Sequence, residues 1–331
     1  MAARRGGEGW KEHIVIYAAL AANIGIAIAK FVAAGISGSS SMLTEGLHSV
    51  VDSGNQVLLL YGEHRAKRPP DRRRPFGYGR ELYFWSFVVA ILIFAAGAAF
   101  SIYEGYVHIQ DPEALRSATI SYIVLGVAAV LEGASWMTAV REFSRSKGDA
   151  GWWRAIRESK DPSGFIVLFE DSAALAGLAV AALGVWASHV LDMPVLDGVA
   201  SVVIGCILAL VAVLLAREAK GLLIGEPADA ETLRRIREIV GAHDAVTRVN
   251  HVRTIHIAPE DVFVAVSADF EDSIPMGRAE GIIGDIEDRL REAVPRLASI
   301  YIRPEKAQDT MRHEDAGDGL NGRDTDRAAP A

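Results

Sequence analysis

The chain of 331 residues is 50% hydrophobic yet 23% charged, with a mean hydropathy of +0.20, a mixture that points to a membrane part joined to a polar part. A net charge of −8 without a basic bias excludes nucleic acid as the natural partner. One cysteine, Cys206, excludes an intrachain disulfide framework and a thiolate zinc site, and its apolar surroundings read it as a small buried residue.

The N-terminal residues 1–12 are polar and short, with no small-residue cleavage site of the kind that ends a signal peptide. Six apolar stretches follow, at about 13–36, 41–63, 81–108, 117–141, 163–189 and 195–217, each long enough at ~20 residues to cross ~30 Å of hydrocarbon. They form a six-helix membrane domain over 13–217. The second stretch is the least apolar, which suits a helix packed inside the bundle. Frequent glycines, among them Gly97, Gly177, Gly184 and Gly205, suit close helix contact.

Basic residues divide the connections into two classes. Arg65, Lys67, Arg68, Arg72, Arg73, Arg74 and Arg80 crowd the second-to-third connection, and Arg141, Arg145, Lys147, Arg154, Arg157 and Lys160 the fourth-to-fifth. The alternate connections carry only Arg116. The positive-inside rule then places both termini in the cytoplasm, in a multi-pass protein of the cell membrane.

A linker over 218–228 leads to a polar segment, 229–304, with the pattern helix–strand–strand–helix–strand. Asp229 is placed to cap its first helix, and residues 246–257 and 261–270 alternate as strands around the turn-forming Ala258–Asp261. An α/β unit this small buries little surface alone, so a second copy is the expected partner. Residues 305–331 are polar, charged and glycine-containing and read as disordered.

The chemistry concentrates in the second span. Glu45, His48, Asp52 and Asn55 recur at helical spacing and line one face. Ionisable groups near a bilayer centre cost ~2.5–3.5 kcal/mol each on insertion scales and are functional by default. The fifth span adds Glu170 and Asp171, which as neighbours point about 100° apart, so one faces the second span and the other a neighbour or a water-filled cavity. Imidazole with carboxylates is a ligand set for zinc and other first-row divalent ions. His48 and Asp52, one turn apart, can reach one ion, with Asp171 completing a third side. The rival reading is a buried hydrogen-bond network that only fixes packing. Glu132 in the fourth span is open between proton relay and packing, while Asn23, Glu104, His108, His243, His251 and His256 read as packing, edge or surface residues.

These residues resemble the cation diffusion facilitator family of divalent-metal transporters. The resemblance runs from about Ile14 to Pro304 and is most specific in Leu43-Thr-Glu-Gly-Leu-His-Ser-Val-Val-Asp52 and in Pro75-Phe-Gly-Tyr-Gly-Arg-Glu81. It implies six membrane helices, a small C-terminal α/β domain, a homodimer, and an i, i+4 ligand pair on each of helices two and five. His48 and Asp52 match the first pair and Asp171 the second member of the other. The remaining position is Val167, which cannot ligate, so Glu170, or after it Glu45, stands in as fourth ligand. The loop positions Arg74 and Tyr78 and the C-terminal positions Asn250, Ser267 and Arg303 lack the ligands of other members, so metal sites there are not expected. The implied activity is export of a divalent metal, zinc foremost, in exchange for protons, with metal and protons competing for the same side chains. No enzyme activity, prosthetic group or nucleic-acid partner is expected. The alternatives are a metal-binding membrane sensor or scaffold, and an intramembrane metalloenzyme.

Overall fold

The structure, a computed structural model, describes residues 6–148 and 151–307. It divides into two compact units that meet in sequence between Ile224 and Gly225.

The first unit is helical. Its elements are α1 (Gly6–Ser37), α2 (Ser40–Ala66), α3 (Arg80–Leu92), α4 (Ala99–Gln110), α5 (Ala118–Ser146), α6 (Trp152–Glu158), α7 (Pro162–Leu191) and α8 (Val195–Ile224). A π-helical stretch, Ile93–Ala98, joins α3 to α4 into one continuous rod. Among the described residues, that rod, α5, α7 and α8 are long and apolar enough to cross a membrane. α1 and α2, at 32 and 27 residues, have the length as well. α2 lacks the apolarity because its face is occupied by Glu45, His48, Asp52 and Asn55. The short helix α6 falls in the connection between the fourth and fifth spans, where the sequence suggested only a basic loop.

Tight hairpins pack these helices side by side. Gly38 turns α1 into α2 at φ +73°, a region glycine enters without a Cβ clash, and Asp192 ends α7 in the left-handed region at φ 53°. α8 lies close against α4: a Cβ on Gly105 would come within 2.6 Å of the Gly198 carbonyl oxygen. The unit's core is made of small and branched residues, including Ala33, Ala90, Ala181, Ile166, Ile204 and Leu208. Cys206 is exposed instead of buried, because α8 is apolar all round and turns one face outward. His108, expected at an edge, is buried.

α2 begins deep in the unit, and its first turn is held by a carboxylate from another helix. Asp197 at the start of α8 is fully buried and accepts from Ser39 Oγ (3.0 Å), Ser40 N (2.6 Å), Ser41 N (3.3 Å) and Ser41 Oγ. Negative charge at a helix N-terminus meets otherwise unpaired N–H groups and the positive end of the helix dipole. Ser39 adds the local cap, accepting from Met42 N.

At its other end, α2 runs into a tied loop. Arg65 donates to Glu81 at 3.0 Å, and Arg65 and Arg74 both lie over the Tyr78 ring. The Tyr78 hydroxyl donates to Asp71 at 2.7 Å, and with the backbone amides of Arg74 and Arg73 it holds that carboxyl below its ordinary range.

The second unit has the predicted order: α9 (Ala230–Gly241), β1 (Val246–His256), β2 (Val262–Phe270), α10 (Met276–Ala293) and β3 (Leu297–Pro304). The sheet order is β1-β2-β3, with β1 antiparallel and β3 parallel to β2. Alternate residues Val262, Val264, Val266 and Ala268 of β2 pack with Ile236, Val240, Ile286 and Leu290 of the helices. Asp229 caps α9 through Thr232 N, as its sequence position implies. His256, read as a surface histidine, is buried. The disorder expected from residue 305 does not apply to its first residues: Glu305 accepts from Ser267 Oγ at 2.6 Å, and Ala307 N donates to Asp269 at 3.0 Å. Residues 308–331 lie outside those described.

Replacing Asp197 by Ala leaves several buried donors without an acceptor, which should cost about 3 kcal/mol. The expected readout is a lowered unfolding temperature in detergent, with Asp197→Asn recovering part of it because an amide oxygen still accepts.

Candidate metal site

The polar face of α2 meets a different helix at each turn. Glu45 and Ser49 face α1, where Lys30 donates to Glu45 Oε2 at 3.0 Å and to Ser49 Oγ at 2.9 Å. The same ammonium donates to Glu132 of α5 at 2.8 Å. His48 Nε2 lies 3.3 Å from Asp52 Oδ2, one turn along. Asn55 Nδ2 donates to Glu170 of α7 at 2.7 Å.

Glu170 and Asp171 diverge as adjacent helical residues must. Glu170 is buried and faces α2. Asp171 is turned toward α5, where Ser135 Oγ donates to it at 2.9 Å, beside a second α5–α7 bond from Trp136 Nε1 to Ser172 Oγ at 2.9 Å. Asp52 stands within electrostatic range of Glu170, Glu132, Lys30 and Asp171.

Several of these groups have unused hydrogen-bonding capacity. Both ring nitrogens of His48, Asp52 Oδ1 and Asn55 Oδ1 are buried without a hydrogen-bond partner. Buried polar atoms without partners are costly, and a cation relieves the acceptors among them. Among the described residues no three His, Cys, Asp or Glu side chains converge at ligand distance. The reason is local: Glu170 is engaged by Asn55 and Asp171 by Ser135.

A cavity of about 420 Å³ opens between α2, α5 and α7. Glu63, Ser135, Thr138, Glu142, Asp161, Ser163 and Val167 line it. All lie toward the C-terminal ends of α2 and α5 and the N-terminal end of α7, so the cavity leads from that end of the bundle to Ser135 and its partner Asp171. Val167, the position without a ligand, is part of its wall.

Residues 16–224 match the family described as the cation efflux transmembrane domain, and residues 228–307 match the cation efflux protein cytoplasmic domain. The chain belongs to the cation efflux family. It is 31% identical over 240 residues to the mitochondrial proton-coupled zinc antiporter of Xenopus laevis, a match that covers 72% of this chain and 43% of that protein. It is 31% identical over 238 residues to metal tolerance protein C4 of Arabidopsis thaliana, covering 71% and 52%. The chain thus spans about half or less of the length of these relatives. The manganese efflux system protein MneP of Bacillus subtilis is 24% identical over 293 residues, covering 85% of this chain and 90% of its own.

Within the cation efflux fold, the structure distributes the candidate residues unevenly. His48 and Asp52 are adjacent and Glu170 is turned toward α2, whereas Asp171 reaches α5 and Glu45 is taken by Lys30. Lys30 and Asp197 are the polar residues that sequence reading passed over. Lys30 carried a signal, a lone cation in the first apolar run; Asp197 stood at the edge of a span, where an acid is unremarkable. The C-terminal positions that lack family ligands are engaged within the unit: Asn250 Nδ2 donates to Ser267 Oγ at 3.1 Å and to the Glu305 carbonyl at 2.8 Å, and Arg303 pairs with Glu305 at 3.3 Å.

A Cβ on Gly177 of α7 would overlap Glu45 Oε1. Gly177→Ala should therefore push the Glu45 carboxylate off Lys30 and destabilise the unit by about 1–3 kcal/mol. Gly126→Ala, with open space around its Cβ, should stay within about 0.5 kcal/mol, and thermal unfolding in nanodiscs reads both.

Proposed function

We propose that the protein exports a divalent metal ion, zinc foremost, across the membrane in exchange for protons, through a site made by His48, Asp52, Glu170 and Asp171. The observation that carries this reading is the adjacent His48–Asp52 pair, whose buried ring nitrogens and carboxylate Oδ1 have no hydrogen-bond partner, one turn before Asn55 and its bond to Glu170 of α7. Family membership and the names of the relatives, a zinc antiporter and a manganese efflux protein, support the cargo class.

Glu170 is preferred to Glu45 as the fourth ligand, because Glu45 already neutralises Lys30. An entering ion draws Glu170 off Asn55 and Asp171 off Ser135, exchanging neutral hydrogen bonds for metal–oxygen bonds. The acid-lined cavity gives a cation a favourable approach from the end of the bundle where α2 and α5 finish. With the basic connections on that same side, both termini are cytoplasmic and the cavity faces the cytoplasm. Metal binding requires neutral imidazole and ionised carboxylates, so protons from the opposite side promote release and return with the empty carrier. Rocking of helices about a midplane site provides alternating access. The C-terminal unit joins two copies into a homodimer, in keeping with the cytoplasmic family domain it matches and its small size.

Reconstituted vesicles with a pH gradient test the assignment. Asp52→Ala and Asp171→Ala should each lower zinc flux at least tenfold while the protein stays folded and monodisperse, and the apparent affinity of the unaltered protein should weaken as pH falls. Glu170→Gln should raise the half-saturating zinc concentration more than Glu45→Gln does. Undiminished flux in Asp52→Ala would rule the site out.

A further inference from the structure

Lys30 is fully buried, and its ammonium is held by oxygens from two other helices: Glu45 at 3.0 Å and Ser49 at 2.9 Å on α2, and Glu132 at 2.8 Å on α5. Two carboxylates and a hydroxyl converging on one point are the oxygen set that a divalent cation accepts. Here the point is filled by a positive charge that belongs to the chain. The set is also under-used: Glu45 Oε1 and Glu132 Oε2 are buried with no hydrogen-bond partner. Two carboxylates against one ammonium leave the cluster one positive charge short.

The position is distinct from the His48–Asp52 pair, yet adjacent to it. On α2, Glu45 precedes His48 by one turn and Ser49 follows it directly, whereas the cavity touches the helix at Glu63 near its end. On α5, Glu132 likewise precedes the cavity residues Ser135 to Phe143. An ion entering by the cavity meets Ser135 and its partner Asp171 first, and the lysine cluster contributes no residue to the cavity wall.

We propose that Glu45, Ser49 and Glu132 form a second cation position in the membrane unit, which Lys30 occupies as a tethered cation. The tether has a physical consequence. Without it, two buried carboxylates next to the transport pair would retain a second divalent ion, and release would have to unload both. A cation fixed to α1 satisfies the carboxylates, cannot leave, and repels an ion from moving deeper than His48. Lys30 thus limits the membrane unit to one exchangeable divalent ion and ties α1, α2 and α5 together.

The test counts bound zinc, and so stands apart from the transport assignment. Equilibrium dialysis against zinc alone, with the full chain in nanodiscs, compares each variant with the unaltered protein. Lys30→Met is expected to bind one additional zinc ion per protomer, and Lys30→Met/Glu45→Gln/Glu132→Gln to lose that addition. Lys30→Arg, which keeps the charge, should add none. In an Asp52→Ala background, Lys30→Met should still add one ion, which separates this position from the transport pair. If Lys30→Met does not fold, Lys30→His puts an imidazole beside the two carboxylates and should gain the same ion. Zinc counts unchanged in the folded methionine variant, or in the histidine variant where methionine fails, would overturn the proposal.

Discussion

The structure depends on how one polar helix is kept inside an apolar bundle. α2 carries charged or amide side chains at four positions along one face, and an isolated ionisable group near a bilayer centre costs ~2.5–3.5 kcal/mol even on the lenient insertion scales. The two ends of the face and the start of the helix are answered from other helices. Lys30 of α1 meets Glu45, Asn55 meets Glu170 of α7, and Asp197 of α8 receives the N-terminal turn. The helices around α2 are thus fixed by polar partners as well as by packing. What is left unanswered is the middle of the face, His48 and Asp52.

That remainder is what a purely structural reading of the α2 face does not account for. A purely architectural network would satisfy its members, since a partly satisfied one is worse than an apolar core. Here the ends of the α2 face bond to Lys30 and Glu170, whereas the His48 ring nitrogens and Asp52 Oδ1 have no hydrogen-bond partner, and a cavity reaches in from one end as far as Ser135. The partners of Glu170 and Asp171 are neutral, Asn55 and Ser135, and neutral hydrogen bonds are the ones a divalent ion displaces at least cost. Glu45, held by a full positive charge, is the carboxylate hardest to recruit.

Much of this was readable from residue spacing. The i, i+3, i+7, i+10 pattern of Glu45, His48, Asp52 and Asn55 marked α2, and the alternating runs 246–257 and 261–270 marked the first two strands. The adjacency of Glu170 and Asp171 predicted that they would face different neighbours, though not that Glu170 would be the one turned to α2. What could not be read were pairings between distant residues. Lys30 stands 15 positions from Glu45 and 102 from Glu132, and nothing in a linear pattern joins them. Asp197 looked like an ordinary acid at a helix start until the fold placed it under the first turn of α2, 157 residues away. The short helix α6 and the π-helical stretch at Ile93–Ala98 were hidden for another reason. Both preserve the composition of their surroundings, a basic connection and an apolar span, and change only the local geometry.

The central claim is that divalent metal and protons exchange through the His48–Asp52 site. The most direct measurement follows both at once in sealed proteoliposomes, with a zinc indicator and a pH indicator trapped inside and no other ion gradient imposed. The account predicts that zinc entry is accompanied by proton exit, that the two fluxes keep a constant ratio as zinc is varied, and that both vanish together in Asp52→Ala. Zinc entry without proton movement, or proton movement that persists when the site is removed, would contradict it.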